Sequence, residues 1–219
     1  MATVLDLGSL EYLECWSRQK EIVAKIQSGE APETLVFVEH PAVYTLGASF
    51  HESNLLFDRE EYVRRGVDIQ ASDRGGDITY HGPNQLVIYP LFDIRRHGKD
   101  LHKWLRDLEE AIIRVAGQYG LEGKRSDVNT GVWVGENKLA AIGIKVSRWV
   151  SLHGIALNCN NDLAPFEWIV PCGLEGYGVT SLSQELGRDV PPSEVKPKVV
   201  QAFENVFDMT FDEEPPTPA

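Results

Sequence analysis

Residues 131–158 hold three strand patterns in succession with no helix between them, and this limits the folds open to the chain. The runs 131–134 and 138–146 flank Gly135-Glu136-Asn137, a hairpin signal, and 150–158 follows at once with Trp149 at its entry. The first two read as a β-hairpin, and the third is the next strand. The rest of the chain lacks a clean strand–helix–strand rhythm. Strand patterns fall at 3–7, 35–38, 43–46, 67–71 and 86–91, the second and third being two strands joined by a turn at His40-Pro41. Ser9 is placed to cap a helix carrying Leu10, Leu13, Trp16, Val23 and Ile26 on its apolar face and stopped by Gly29. A short helix is expected over 59–65. Asp100 caps a longer one whose Trp104, Leu105, Leu108, Ile112 and Val115 share a face, and a last one begins near Ser193. The pattern is α+β: a single domain over residues 1–210, a mixed β-sheet flanked by helices, with an acidic, Pro-rich tail at 211–219 expected to be disordered.

A chain of 219 residues with 42% apolar and 25% charged residues can bury a proper core. No stretch has the roughly 18 to 20 apolar residues of a membrane span. The first residues have neither the basic region nor the apolar region of a targeting segment, so a cytoplasmic protein is expected. A net charge of −12 argues against bulk nucleic-acid binding. Any acidic protein partner must meet a local basic surface. The stretch Arg95-Arg96-His97, Lys99, His102, Lys103, Arg106 is one candidate, with a solvated helix entrance as its plain alternative; Lys145 with Arg148 is another. Three cysteines without a CxxC pair fit neither a disulfide framework nor a cysteine zinc site. The six histidines have no metal-ligand spacing either, so no metal is expected.

Four segments have side chains that chemistry can use. From Arg74 through Gly75, Gly76, Asp77, Ile78, Thr79, Tyr80 and His81 to Gln85, paired glycines and several polar groups lie between two strand patterns; this is a polar turn or a ligand loop. Lys138 opens a strand whose Ala140, Ala141 and Gly143 are too small for a central strand. They leave room for a ligand or for a closely packed neighbour. His153, Gly154 and Ala156 repeat the thinness in the next strand, although a lone strand histidine is more often structural. In Pro171-Cys172-Gly173 a cysteine sits on a rigid bend rather than in a core strand. A nucleophilic cysteine must be a thiolate, and a nearby lysine supplies both the charge that favours it and a proton carrier. Cys15 and Cys159 look like packing residues. Nucleotide phosphate loops and the serine nucleophile elbow are missing.

In this order the segments resemble the lipoyl(octanoyl) transferases of lipoate biosynthesis. The likeness rests on residues 39–47 (EHPAVYTLG), on Arg74 to Gln85 followed by Tyr89, on Lys138-Leu-Ala-Ala-Ile-Gly143, on His153-Gly-Ile-Ala-Leu-Asn158 and on Pro171-Cys172-Gly173, and it runs from about Tyr12 to Thr180. Asn84 departs from it, standing where that family usually has glycine. The resemblance implies the fold of biotin and lipoate protein ligases, with Cys172 as acyl-accepting nucleophile and Lys138 as its acid/base partner. By the same likeness, Arg74 to His81, Ala141, Ile142, Gly143, Gly154, Ile155 and Ala156 line the substrate groove, with His153 and Gln85 in support. It implies octanoyl transfer from acyl carrier protein to a lysine of lipoyl domains or glycine-cleavage H protein, the first step of protein lipoylation, by a monomer needing no cofactor. The rivals are an ATP-dependent lipoate or biotin ligase of the same fold and a non-catalytic binder of acylated carriers.

Overall fold

The computed structural model describes residues 2–170 and 178–213. Its main sheet runs β12 (Phe211–Glu213), β1 (Ala2–Ser9), β2 (Glu33–Glu39), β6 (Gln85–Leu91), β10 (Val150–Asn158), β9 (Asn137–Ser147), β8 (Gly131–Val134), β7 (Gly123–Lys124). The short β11 (Gly178–Val179) pairs with the start of β9. The expected hairpin is present as β8–β9, and β10 continues it into an antiparallel meander, while β1 pairs in parallel with both β2 and β12. A second, three-stranded sheet holds β4 (Asp68–Ala71), β3 (Val43–Leu46) and β5 (Ile78–His81). The turn at His40-Pro41 therefore joins two sheets instead of closing a hairpin. Buried His40 accounts for this: its ring bridges the Leu10 carbonyl at 2.7 Å and the Tyr89 hydroxyl at 2.9 Å, which ties the exit of β2 to the main sheet.

The strands alternate as their side chains require. On β6, Leu86 and Ile88 face α3 (Leu101–Gln118) and α5 (Pro192–Phe207), where Trp104, Leu108, Ile112, Val199 and Phe203 complete the larger core. Each such buried side chain contributes about 1.5–3 kcal/mol. Val87, Tyr89 and Leu91 face the other way, towards Cys15, Val23 and Ile26 of α1 (Tyr12–Ser28). The small sheet closes over its own core of Tyr44, Tyr62, Ile78, Tyr80 and Phe166, with α2 (Arg59–Arg64) at its side. Asp100 caps α3 as expected, accepting from the amides of His102 and Lys103. Ser9 does not cap α1. It stays in β1, in register with Glu39, and Glu11 takes the cap position without a side-chain bond. No helix among the described residues is long and apolar enough to cross a membrane. Phe211–Glu213 form β12 on β1, and residues 214–219 lie outside the described residues.

Candidate active site

A groove opens on the α1 side of the main sheet, where β9 and β10 meet the loop before β5. Its floor is a trough of small residues on two rungs, Ala141 opposite Ala156 and Gly143 opposite Gly154. The walls are Arg74, Gly75, Gly76, Thr79 and His81 on one side and Tyr12, Val87, Tyr89 and His153 on the other, with Lys138 and Asn129 at one end. Empty space in and above it amounts to about 520 Å³.

Lys138 reaches this groove through an irregularity in β9. Val132 pairs with Ala140, but Trp133 pairs with Lys138, so Leu139 is an extra residue, a β-bulge. In a regular strand Lys138 and Ala141, three apart, point to opposite faces. Here Leu139 and Ala140 both enter the helix-side core, as do Ile142 and Ile144, which leaves Lys138 on the face of Ala141 and Gly143. Only 9% of Lys138 is exposed, and its ammonium lies 5.2 Å from the centre of the Trp133 ring. The stem passes over Gly131, where a Cβ would stand 2.8 Å from Lys138 Cε and 2.4 Å from the Ala140 carbonyl oxygen. At a φ of +147° that position favours glycine as well. The strand is further pinned by the amide of Thr180, which donates to the Lys138 carbonyl at 3.0 Å.

The loop over the groove is held by Arg74. Its guanidinium donates to the Thr45 hydroxyl and carbonyl and to the carbonyls of Gly75 and Asp77 at 2.5–3.0 Å. Gly75 in turn donates its amide to the Ile144 carbonyl at 2.8 Å, on the edge of β9 that β8 no longer covers. Its carbonyl lies 2.8 Å from where a Cβ of Gly143 would be, so that glycine admits the loop. Gly154 has a different reason. The β10–β6 register puts His153 opposite Pro90, which has no amide to donate, and a Cβ on Gly154 would meet the Ile88 carbonyl oxygen at 2.3 Å and Pro90 Cδ at 2.7 Å. The small residues thus serve close packing at Gly143 and Gly154, and open space at Ala141 and Ala156.

The polar groups beneath the groove form one buried network. His81 donates from Nδ1 to Gln85 at 2.8 Å, and Gln85 donates to Asn158 at 2.9 Å, which donates to the Thr180 carbonyl at 3.0 Å. Burial and the neighbouring His40 hold His81 well below the usual histidine range, so its ring is neutral. His153 has a left-handed backbone, φ +58°, that turns its ring towards α1. Its amide donates to Gln19 at 2.9 Å, and its Nε2 meets Asp73 at 2.7 Å. Burial lowers its pKa despite that carboxylate.

The structure brings Lys138, Arg74, Gly75, Gly76, Thr79, His81, Ala141, Ile142, Gly143, His153, Gly154, Ile155 and Ala156 to one groove. Three residues of the signature loop turn away from it. Asp77 accepts from Asn54 at 2.5 Å, and Ile78 and Tyr80 fill the core of the small sheet. Gln85 sits behind His81. Cys172, with Pro171 and Gly173, lies outside the described residues. Cys15 and Cys159 are buried, and burial pushes both thiols up to about 12, so neither supplies a thiolate at neutral pH. Sequence reasoning missed Tyr12 and Asn129. Tyr12 begins the buried stripe of α1, where a buried Gln19 among apolar residues was the available signal; Asn129 lies in a loop with none.

Comparison with known proteins agrees with this geometry. Residues 11–204 match the family model of the lipoyl protein ligase A/B catalytic domain. An octanoyltransferase of Rubrobacter xylanophilus is 50% identical over 202 residues, covering 91% of this chain and 90% of its own. One from Geobacter metallireducens is 44% identical over 205 residues, covering 94% and 93%. In fold the chain is similar to a putative lipoate protein ligase from T. acidophilum with bound lipoic acid, at a TM-score of 0.75 and 17% identity, covering 99% of this chain and 89% of that one. A biotin protein ligase from Aquifex aeolicus in complex with biotin and ATP follows at 0.63 and 14%, covering 94% and 70%. On its residues, its groove and these matches, the chain belongs to the lipoyl protein ligase A/B catalytic-domain family, among its octanoyltransferases.

Proposed function

We propose that this chain moves an octanoyl group from the thioester of an acyl carrier protein to a lysine amine of a lipoyl domain or of glycine-cleavage H protein, through a thioester on Cys172. The observation that carries the reading is the bulge at Leu139, which sets an amine at the end of a trough floored by Ala141 and Ala156. That pairing suits an apolar chain whose reactive end must exchange protons. Cys172 fits the nucleophile's role because the other two thiols are buried and held protonated.

In the first half, Cys172 gives its proton to the Lys138 amine and its sulfur attacks the thioester carbonyl. The carbonyl re-forms as the carbon–sulfur bond to pantetheine breaks, and the Lys138 ammonium protonates the departing thiolate. In the second half the acceptor amine attacks the acyl-cysteine. Its surplus proton passes to Lys138, and the Cys172 thiolate leaves as the amide forms. Thioester to amide is downhill, so no nucleotide enters the balance. The groove's contribution is position: a neutral, buried His81 and an Arg74 held by four hydrogen bonds leave the trough to an aliphatic chain.

The test is intact mass after incubation with octanoyl-acyl carrier protein and no acceptor. One octanoyl adduct, removed by hydroxylamine and lost in Cys172→Ala, is expected, with much slower loading in Lys138→Ala. If Cys172→Ala still transfers octanoyl to the acceptor, the covalent route is wrong. Transfer that waits on free octanoate and ATP would make the chain a ligase.

A further inference from the structure

Acidic residues outnumber basic ones, 33 to 21, so an acidic partner needs a local cluster of cations. Among the described residues, the stretch from Arg95 to Arg106 is largely neutralised. Arg95 is held by Asp93 at 2.6 Å, Lys103 by Asp107 at 2.6 Å, Arg106 by Glu109 at 2.8 Å, and half-buried His97 meets Glu33 at 3.1 Å. Besides Lys25, Arg96 and Lys198, four cations, Lys99 of that stretch with Lys20, Lys145 and Arg148, form no ion pair among the described residues. All four are exposed and gather around the turn between β9 and β10.

Printed contacts bring them together. Gln27 of α1 donates to the Ser147 carbonyl at 2.8 Å and accepts from Arg148, which lays α1 along the hairpin. Lys20, on that helix, stands over Trp16, whose ring lies 5.6 Å from His153 on β10. Lys145 shares its face of β9 with Ala141 and Gly143, because Ile142, Ile144 and Val146 all pack on the helix side. Lys99 stands 5.2 Å over Trp149, and the amide of Ile94 donates to the Trp149 carbonyl at 2.8 Å. The turn itself is rigid. Arg148 and Trp149 both have left-handed backbones, φ +46° and +70°, which two-residue hairpins demand but which side chains of this size adopt only when their surroundings hold them there. Two nearby carboxylates are engaged elsewhere: Asp73 meets His153, and Asp100 caps α3.

We infer that Lys20, Lys99, Lys145 and Arg148 form the docking surface for the donor, an acidic carrier domain bearing its acyl thioester on a phosphopantetheine arm. This rests on the octanoyl-transfer reading. Charge selects an acidic protein against the molecule's overall repulsion. Distance selects the donor over the acceptor. Lys145 lies six regular strand positions and one bulge beyond Lys138, about 20 Å at the usual rise per residue. A lysine side chain on a protein seated there falls well short of Lys138, whereas a phosphopantetheine arm spans that gap.

The experiment compares two donors, octanoyl-acyl carrier protein and octanoyl-pantetheine, on the wild type, Lys145→Glu with Arg148→Glu, and a remote control, Lys198→Glu. The double variant should raise KM for the protein donor by about tenfold or more and flatten its salt dependence. It should leave kcat and the rate with octanoyl-pantetheine within twofold, and the control should match wild type. Equal loss with both donors, or an unchanged KM for the carrier, overturns the inference. A raised KM for the lipoyl-domain acceptor alone assigns the surface to the acceptor and overturns it as well, leaving the transfer reading intact. A wild type that accepts octanoyl from neither donor ends both.

Discussion

Asn84 stands where the octanoyltransferases usually have glycine, and its backbone explains how it is tolerated. Its φ is +64°, its amide donates to Glu39 at 3.0 Å, and its carbonyl accepts from Asn160 at 3.1 Å. Asparagine enters the left-handed region more readily than other side chains, and glycine enters it freely. Asn84→Ala should therefore cost about 1 kcal/mol of stability while Asn84→Gly holds or gains. Urea denaturation of the two variants decides it, and an alanine variant as stable as wild type would show the argument to be wrong. Gly143 is a harder case, because a Cβ there meets the Gly75 carbonyl, which belongs to a loop that can shift. Gly143→Ala is expected to fold, to lose about 1–3 kcal/mol, and to load octanoyl more slowly because the loop wall moves. Unchanged single-turnover loading would detach the loop from the groove's function.

At the scale of the element, the bulge in β9 decides which face receives Lys138. Deleting Ala140 restores regular pairing between β8 and β9 and leaves Lys138 two positions from Ala141, on the same face, while removing a buried side chain from the core. Such a variant should lose stability but keep octanoyl loading whenever it folds, while Lys138→Met loses loading and keeps its fold. Circular dichroism melts beside adduct formation separate the two, and a deletion variant that folds but does not load would refute the face assignment. This is also where the limit of sequence reading falls. The hairpin β8–β9 and the strand after it were legible because their turns are short and their apolar runs long, and the thin trough was legible because Ala141, Gly143, Gly154 and Ala156 are conspicuous in strands. The bulge was not: Lys138-Leu139-Ala140-Ala141 reads as an ordinary strand, and its irregularity exists only in pairing with Val132 and Trp133. Nor was the division into two sheets visible, since His40-Pro41 signals a turn and says nothing of which partners the next strand finds. Gly154 looked like open space for a ligand, and only its neighbour across the ladder, Pro90, shows that packing required it.

For the whole molecule, the buried histidines set an acid limit. Burial lowers His40 to about 4, holds His81 well below the usual range, and lowers His153. Each stays neutral in the folded protein while its unfolded counterpart gains a proton below about 6.5. Stability from these groups is therefore present above that pH and falls as pH drops towards the folded values. The loss approaches about 1.4 kcal/mol per pH unit for each of His40 and His81. Urea midpoints measured from pH 7 to 5 should decline steeply, and His40→Gln should take one proton from the slope. A flat profile over that range would contradict the burial of these rings.

The amide of Gly75 on the Ile144 carbonyl has a consequence for life in a crowded solution. Past Ala141, β9 has no strand on its outer side among the described residues, and the roof of the groove is what seals that edge. Were the loop to swing aside to admit a substrate broadside, it would uncover a row of unsatisfied backbone groups, a template on which another chain can add a strand. A molecule that opened this way at each turnover would risk self-association in proportion to its use. Loading endwise, along the trough, keeps the seal shut, so solubility and the direction of substrate entry rest on the same hydrogen bond.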